Sequence, residues 1–165
     1  MKIIIEKSID DSKWKEEKWL TNSLMKNIVK NIFNRFSFFS YIKTIEISML
    51  FTDNEKMKEL KKEFFNNPVV TNVLSFPDAI ISKQQLLELP DNLDYIYLGD
   101  IALGYQILQK EAAQLKKSFK DHFIHLFTHS ILHLIGFDHK TEEEADLMES
   151  LEIDILKDFS LSSPY

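Results

Sequence analysis

The 165-residue sequence contains no cysteine, only three glycines and a single arginine. Without cysteine, a disulfide framework and a metal site built from thiolates are both excluded. No stretch of about 18 residues or more is free of charge, which excludes a membrane-spanning helix. The first apolar run is only three residues long and ends at Glu6. It is too short for the apolar core of a secretory signal, so we expect a cytoplasmic protein.

Composition predicts an ordinary globular protein. Apolar residues make up 44% and charged residues 28% of the chain, which excludes a disordered or collagen-like protein. The length fits a single domain over residues 1–165. The net charge of −6 argues against a general nucleic-acid binder, and no DNA or membrane partner is expected. However, residues 141–158 hold eight acidic residues and one lysine, so the acidity is concentrated in one C-terminal segment and does not contradict a role near RNA.

The spacing of apolar residues predicts four strands and about five helices, and therefore an α/β (α+β) protein. We expect helices after caps at Asp10-Asp11-Ser12, Thr52-Asp53-Asn54, Gly104, Asp121 and Thr141, the last with a capping box. Residues 78–94 are predicted to form a polar loop with at most one helical turn. The four strands are expected at residues 3–5, 45–51, 69–76 and 95–103.

The segment HSILHLIGFDH at residues 129–139 is the feature that predicts chemistry. His129 and His133 are four residues apart, which places both rings on one face of a helix within reach of a single ion. Gly136 falls where the helix has to end, because glycine readily takes the left-handed conformation that turns the chain back. The turn brings His139 towards the same point. Three neutral nitrogen ligands leave one tetrahedral position open, which is the pattern of a catalytic metal site.

The same histidine spacing occurs in the metzincin peptidases, where a glutamate general base follows the first histidine. Here that position is Ser130, and a serine cannot act as a base near neutral pH. The sequence therefore disfavours peptide hydrolysis while keeping the metal site. His122 and His125 lie outside the spacing, and we interpret them as packing or solvent-facing residues.

Three blocks in the same order resemble the YbeY family, metal-dependent endoribonucleases of ribosomal RNA maturation. They are the histidine segment, TNVLSFP at residues 71–77 and LGDI at residues 98–101, and the acidic helix that follows the histidines is also similar. The resemblance implies an α/β fold with a mixed four-stranded sheet and surrounding helices. It also implies one divalent ion, expected to be zinc, held by His129, His133 and His139. It further implies cleavage of single-stranded RNA in maturation of the 3′ end of small-subunit ribosomal RNA and in ribosome quality control. The implied partners are ribosomal RNA, or the small ribosomal subunit with its proteins.

The sequence does not identify a catalytic residue. Asp100 is a candidate base or hydrogen-bond acceptor near the metal, and it can equally be a strand residue that bonds to neighbouring backbone. Asp138 is a candidate for orienting a ligand histidine, since such histidines commonly donate their second N–H to a carboxylate. It can equally shape the turn.

One departure from the family concerns phosphate binding. Phe65 occupies the position where the family has an arginine, whose guanidinium suits bidentate phosphate contacts. Lys61, Lys62 and Arg35 are the candidate substitutes. The alternative hypothesis, motivated by this departure and by the single arginine, is a ribosome-assembly factor that binds RNA or protein and whose metal site is structural or vestigial.

Overall fold

Four strands form one mixed sheet. The computed structural model describes residues 1–37, 42–78 and 94–165. The strands are β1 (Lys2–Ile9), β2 (Thr44–Thr52), β3 (Val73–Pro77) and β4 (Tyr95–Gly104). Their order is β1-β2-β4-β3, with β2 parallel to both β1 and β4 and with β3 antiparallel to β4. The predicted mixed four-stranded sheet is therefore confirmed.

Five α-helices accompany the sheet in the described ranges. They are α1 (Asn22–Phe33), α2 (Asn54–Phe65), α3 (Tyr105–Gln114), α4 (Phe119–Leu134) and α5 (Glu142–Asp158). This content confirms the α+β class. None of the helices in these ranges combines the length and apolar character needed to cross a membrane.

Helix α4 is the buried centre of the molecule. Ten of its sixteen residues are buried, and it packs against α1, α3, α5 and β3. On the sheet, alternate residues of β2 contribute Ile45, Ile47, Met49 and Phe51 to the same core. A helix enclosed on so many sides has little freedom to rotate, so its few partly exposed side chains emerge at fixed positions.

Helix α2 covers a second, smaller apolar cluster. Met57 of α2 packs there with Leu74 of β3 and Ala102 of β4, and all three are buried. Because β3 also packs against α4, this contact brings the end of α2 close to the histidine-bearing end of α4.

The end of α4 is a Schellman turn. The Phe137 N–H donates to the Leu132 carbonyl at 3.0 Å, and the Gly136 N–H donates to the His133 carbonyl at 3.0 Å. Gly136 has φ of 89°, a conformation that costs any residue with a Cβ atom. This geometry agrees with the prediction that Gly136 ends the helix.

The first predicted helix is wrong in its extent. Asp11 caps only a short 3-10 helix, Ser12–Glu16, while α1 begins after Thr21, whose Oγ1 accepts the Leu24 N–H at 3.1 Å. The break follows from Trp14, which is 1% exposed and donates its ring N–H to the Thr52 carbonyl at 3.0 Å. A contact over 38 residues of sequence leaves no signal in local spacing.

Two element starts also differ from expectation. Strand β3 begins at Val73 instead of residue 69, because the preceding Asn72 accepts the Val73 N–H at 2.7 Å and Val69 is 61% exposed. Helix α4 is capped by Ser118, whose Oγ accepts the Asp121 N–H at 3.0 Å. The loop predicted at residues 78–94 lies outside the described residues except for its two ends.

The left-handed turn at Gly136 gives a test of the fold. Replacing Gly136 with alanine should lower the free energy of unfolding of the metal-free protein by about 1–2 kcal/mol, since an L-residue is strained there. Gly136→Asn should cost less, because asparagine tolerates this region better. Urea unfolding measures both variants, and an alanine variant as stable as the unmodified protein would contradict the role of the turn.

Candidate metal centre

The structure brings the three predicted ligand histidines together. His129 and His133 project from the last turns of α4, and His139 returns from the chain beyond the Gly136 turn. One ligand atom from each ring lies within 4.8 Å of the others. The ring centroids of the three pairs are 4.5, 5.0 and 5.6 Å apart. The predicted grouping of His129, His133 and His139 in the C-terminal half of the chain is therefore present.

Hydrogen bonding fixes which nitrogen of two rings carries the proton. Nδ1 of His133 lies 2.9 Å from the carbonyl oxygen of Phe137, and Nδ1 of His129 lies 2.6 Å from a carboxylate oxygen of Glu152. A carbonyl and an ionised carboxylate only accept hydrogen bonds, so both Nδ1 atoms are the donors. In the neutral rings, each Nε2 is then unprotonated.

These two unprotonated nitrogens face each other. Nε2 of His133 is 3.0 Å from Nε2 of His129. Two lone pairs at this distance repel unless a positive charge lies between them or one ring becomes charged. A tetrahedral ion with zinc–nitrogen distances near 2.0–2.1 Å places neighbouring ligand nitrogens about 3.3 Å apart. The donor set and its spacing therefore fit a divalent metal ion.

The pKa of His133 favours the neutral, metal-binding form. Burial lowers it, and the neighbouring rings of His129 and His139 lower it further, to about 4. At neutral pH this ring is available as a ligand without first losing a proton.

The histidines open into a cleft of about 820 Å³. One wall comes from the end of α2, where Lys61 and Phe65 face the cleft, and another from β3 and the residues that precede it. The floor is the end of α4 and the following turn. The described lining residues outside the three histidines are Lys61, Phe65, Thr71, Asn72, Val73, Leu74, Ser75, Pro77, Leu134, Gly136, Phe137, Asp138, Lys140 and Glu144.

Both carboxylates among these lining residues are already engaged. Asp138 accepts the His139 N–H at 2.8 Å and pairs with Lys140 at 2.6 Å. Glu144 accepts the Thr141 N–H at 3.2 Å in the predicted capping box. The contacts of Asp138 are those of a residue that shapes the turn.

The other candidate, Asp100, is not one of the described residues that line the cleft. It is exposed on β4, opposite Ser48 and Phe76. Ser130, at the position of the metzincin base, is fully buried and donates its hydroxyl to the Leu126 carbonyl at 2.8 Å. It points into the core instead of the site.

Sequence reasoning missed Glu152 as a partner of the histidines. It lies on α5, is 0% exposed, and contacts both His129 and His125. Its position was signalled by the apolar stripe of α5, since Glu152 falls on the buried face with Met148 and Ile155.

The remaining two histidines lie outside the three-histidine group of the described residues. His122 is 3% exposed and lies 2.9 Å from Glu111, which in turn accepts the side-chain N–H of Asn72. Burial lowers the pKa of His122, against the opposing effect of Glu111. His125 reaches Glu152 at 3.1 Å. These two histidines are packing residues that also contact carboxylates, the partly exposed Glu111 and the buried Glu152.

Fold and site together define an α+β protein with a three-histidine group at the floor of an open cleft. Residues 8–160 match the family model described as Endoribonuclease YbeY, and the chain therefore belongs to the YbeY family. It is 42% identical over 120 residues to Endoribonuclease YbeY of Sinorhizobium fredii (strain NBRC 101917 / NGR234). That match covers 73% of this chain and 65% of the Sinorhizobium protein, just under two thirds of its length.

A solved structure shares the fold. The solution structure of TM1509 from Thermotoga maritima superposes with a TM-score of 0.53 and covers 98% of this chain and 97% of that chain. Sequence identity is 19%, so the likeness concerns the fold alone.

The lowered pKa of His133 predicts a pH dependence of stability. Its value of about 4 in the folded metal-free protein lies below the ordinary 6.5, so the unfolded chain takes up this proton first as the pH falls. The free energy of unfolding should therefore be highest above pH 6.5 and decrease from pH 6.5 to 4. Urea unfolding at several pH values, compared with His133→Gln, isolates the contribution. If the free energy of unfolding fell by the same amount in His133→Gln as in the unmodified protein, the predicted contribution of His133 would be contradicted.

Proposed function

We propose that this protein is a metal-dependent endoribonuclease that cuts single-stranded RNA, with zinc held by His129, His133 and His139. It acts in the cytoplasm on ribosomal RNA, in maturation of the 3′ end of the small-subunit RNA and in ribosome quality control. Membership of the YbeY family supports the activity. The partners that follow are ribosomal RNA and the small ribosomal subunit with its proteins.

The observation that carries the proposal is the pair of facing Nε2 atoms at 3.0 Å at the floor of an open cleft. Two rings with fixed tautomers and a third from the following turn supply three neutral ligands, and the cleft leaves room for a substrate on the remaining side. When bound, a divalent ion supplies Lewis acidity, which acidifies a water molecule or hydroxyl and polarises a phosphoryl oxygen. The protein's own contribution is to hold three nitrogens in place.

The residues around the histidines favour phosphodiester over peptide cleavage. Peptide hydrolysis of the metzincin kind needs a carboxylate base beside the first histidine, and Ser130 is buried and bonded to backbone. The described carboxylates of the cleft, Asp138 and Glu144, are engaged in the turn and the helix cap. We therefore assign no protein carboxylate as the general base.

Lys61 is the residue we expect to contact a substrate phosphate. It lines the cleft, and its ammonium lies 4.8 Å from the centre of the Phe65 ring, one helical turn further along α2. The ring that replaces the family arginine thus supports a cation that points to the same cleft. The other two candidates are placed less well. Lys62 is absent from the described lining, and Arg35 is bonded to Asp158 at 2.6 Å and to the Asp154 carbonyl.

Removal of one ligand should abolish both metal binding and cleavage. Replacing His133 with alanine leaves two nitrogens, too few for a stable tetrahedral site, and chelation of the unmodified protein should have the same effect on cleavage. Zinc content by elemental analysis and cleavage of a labelled single-stranded RNA are the measurements. Ser130→Ala is the matched control from the same helix and should keep both properties.

The same measurements distinguish the proposed endoribonuclease from the alternative hypothesis of an assembly factor. RNA cleavage that is absent, or that survives chelation, together with intact RNA binding would favour an assembly factor with a structural metal. Full zinc content and unchanged cleavage in His133→Ala would overturn the proposed site itself.

The role of Lys61 gives a second test. Lys61→Met should raise the KM for RNA about tenfold, because a charge-assisted phosphate contact is lost, and should reduce the dependence of binding on salt by about one phosphate contact. Lys62→Met is the control, since it removes the same charge from the adjacent residue. Equal effects of the two substitutions would show that only the net charge of α2 matters.

A further inference from the structure

Glu152 is a carboxylate that is fully buried in the protein interior. It is 0% exposed, whereas the seven other acidic residues of α5 are exposed or half-buried. An ionised carboxylate in such a position is costly unless hydrogen bonds satisfy its oxygens. Three donors do so: Nδ1 of His129 at 2.6 Å, Nε2 of His125 at 3.1 Å and the hydroxyl of Tyr165 at 2.5 Å.

The two oxygens of this carboxylate have separate partners. Among the described residues, Oε1 accepts a hydrogen bond from His129 only, while Oε2 accepts from His125 and from Tyr165. Tyr165 belongs to the segment that follows α5, and its ring also packs edge-on against His125, with centroids 6.0 Å apart. Oε2 is thus anchored by His125 and Tyr165, and Oε1 contacts one ligand ring.

We propose that Glu152 is a positioning residue for the metal centre, held in place by Tyr165 and His125. The inference rests on the proposed metal site. By accepting the Nδ1–H of His129, the carboxylate fixes the tautomer and the orientation of that ring, so that the unprotonated Nε2 faces His133 and the cleft. A carboxylate behind a ligand imidazole also makes the ring a better donor to a cation.

The environment of His125 indicates that the pairing with Glu152 is not simply a buried salt bridge. Nδ1 of His125 is buried and has no hydrogen-bond partner in the described part of the chain. A charged His125 would leave an N–H donor unsatisfied at that atom, which is costly. The neutral ring instead donates from Nε2 and leaves the negative charge of Glu152 available to His129.

Zinc affinity tests the proposal. Glu152→Gln keeps the size of the side chain but removes its charge and its acceptor-only character. Its affinity for zinc, measured by competition with a chromophoric chelator, should fall about 10- to 100-fold. Tyr165→Phe, which removes one support of the carboxylate, should weaken zinc binding in the same direction and by less. Glu143→Gln removes the same charge from an exposed position of α5 and should bind zinc like the unmodified protein.

A second readout separates positioning from stability. Nitrogen-15 NMR of the metal-free protein should show His129 protonated on Nδ1, and Glu152→Gln should shift the ring towards the Nε2-protonated tautomer. Urea unfolding of the same samples reports stability independently. A merely structural Glu152 would lower stability while leaving the His129 tautomer and the zinc affinity unchanged, and that result would overturn the proposal.

The tautomer measurement decides the question even if Glu152→Gln fails to fold. An unmodified protein in which His129 carries its proton on Nε2 would overturn the proposal without any variant. Failure of the proposed function is distinguishable, because the unmodified protein would then cleave no RNA or bind no zinc at the three histidines, whereas failure of the positioning role leaves both properties intact.

Discussion

Two hydrogen-bond acceptors control the site, and the rest of the structure serves to place them. The Phe137 carbonyl and the Glu152 carboxylate each hold the Nδ1 proton of one histidine. The opposite nitrogens are left unprotonated and 3.0 Å apart. Repulsion between the lone pairs of these two nitrogens destabilises the fold when no cation is bound. The fold nevertheless keeps them in a geometry that suits a metal ion. It can do so because α4 is packed on several sides and cannot rotate to relieve the repulsion.

The end of α4 and the ligand set are one local structure. The turn at Gly136 ends the helix and sends the chain back with His139. The same turn places the Phe137 carbonyl against Nδ1 of His133. Because eleven consecutive residues contain all these parts, the histidine grouping follows from sequence spacing alone. The strand order has no such local code: alternating apolar residues predict only the four strands, and the family resemblance implies that the sheet is mixed.

What could not be predicted depends on contacts between distant residues. Glu152 lies 23 residues from His129, and helix spacing says nothing about how α5 approaches α4. In the sequence it is one of eight acids in a single helix, so composition suggested a solvated face. Only its coincidence with the stripe of Met148 and Ile155 marked it as buried. Trp14 is similar, because its partner Thr52 ends a strand far along the chain and breaks the predicted first helix.

The folded structure shows that the single arginine lies outside the described lining of the cleft. The single guanidinium, Arg35, is committed to the end of α5 through Asp158, so it cannot serve the cleft. Lys61 supplies the positive charge there, with Phe65 beneath it. A lysine ammonium is a point charge without the planar fork that binds a phosphate in a bidentate manner. In the proposed endoribonuclease, we therefore expect a substrate phosphate to be held less firmly than by an arginine, while the three histidine nitrogens are unaffected by the change. If the proposed function is correct, the departure from the family at position 65 should affect how tightly RNA binds more than how fast bound RNA is cut.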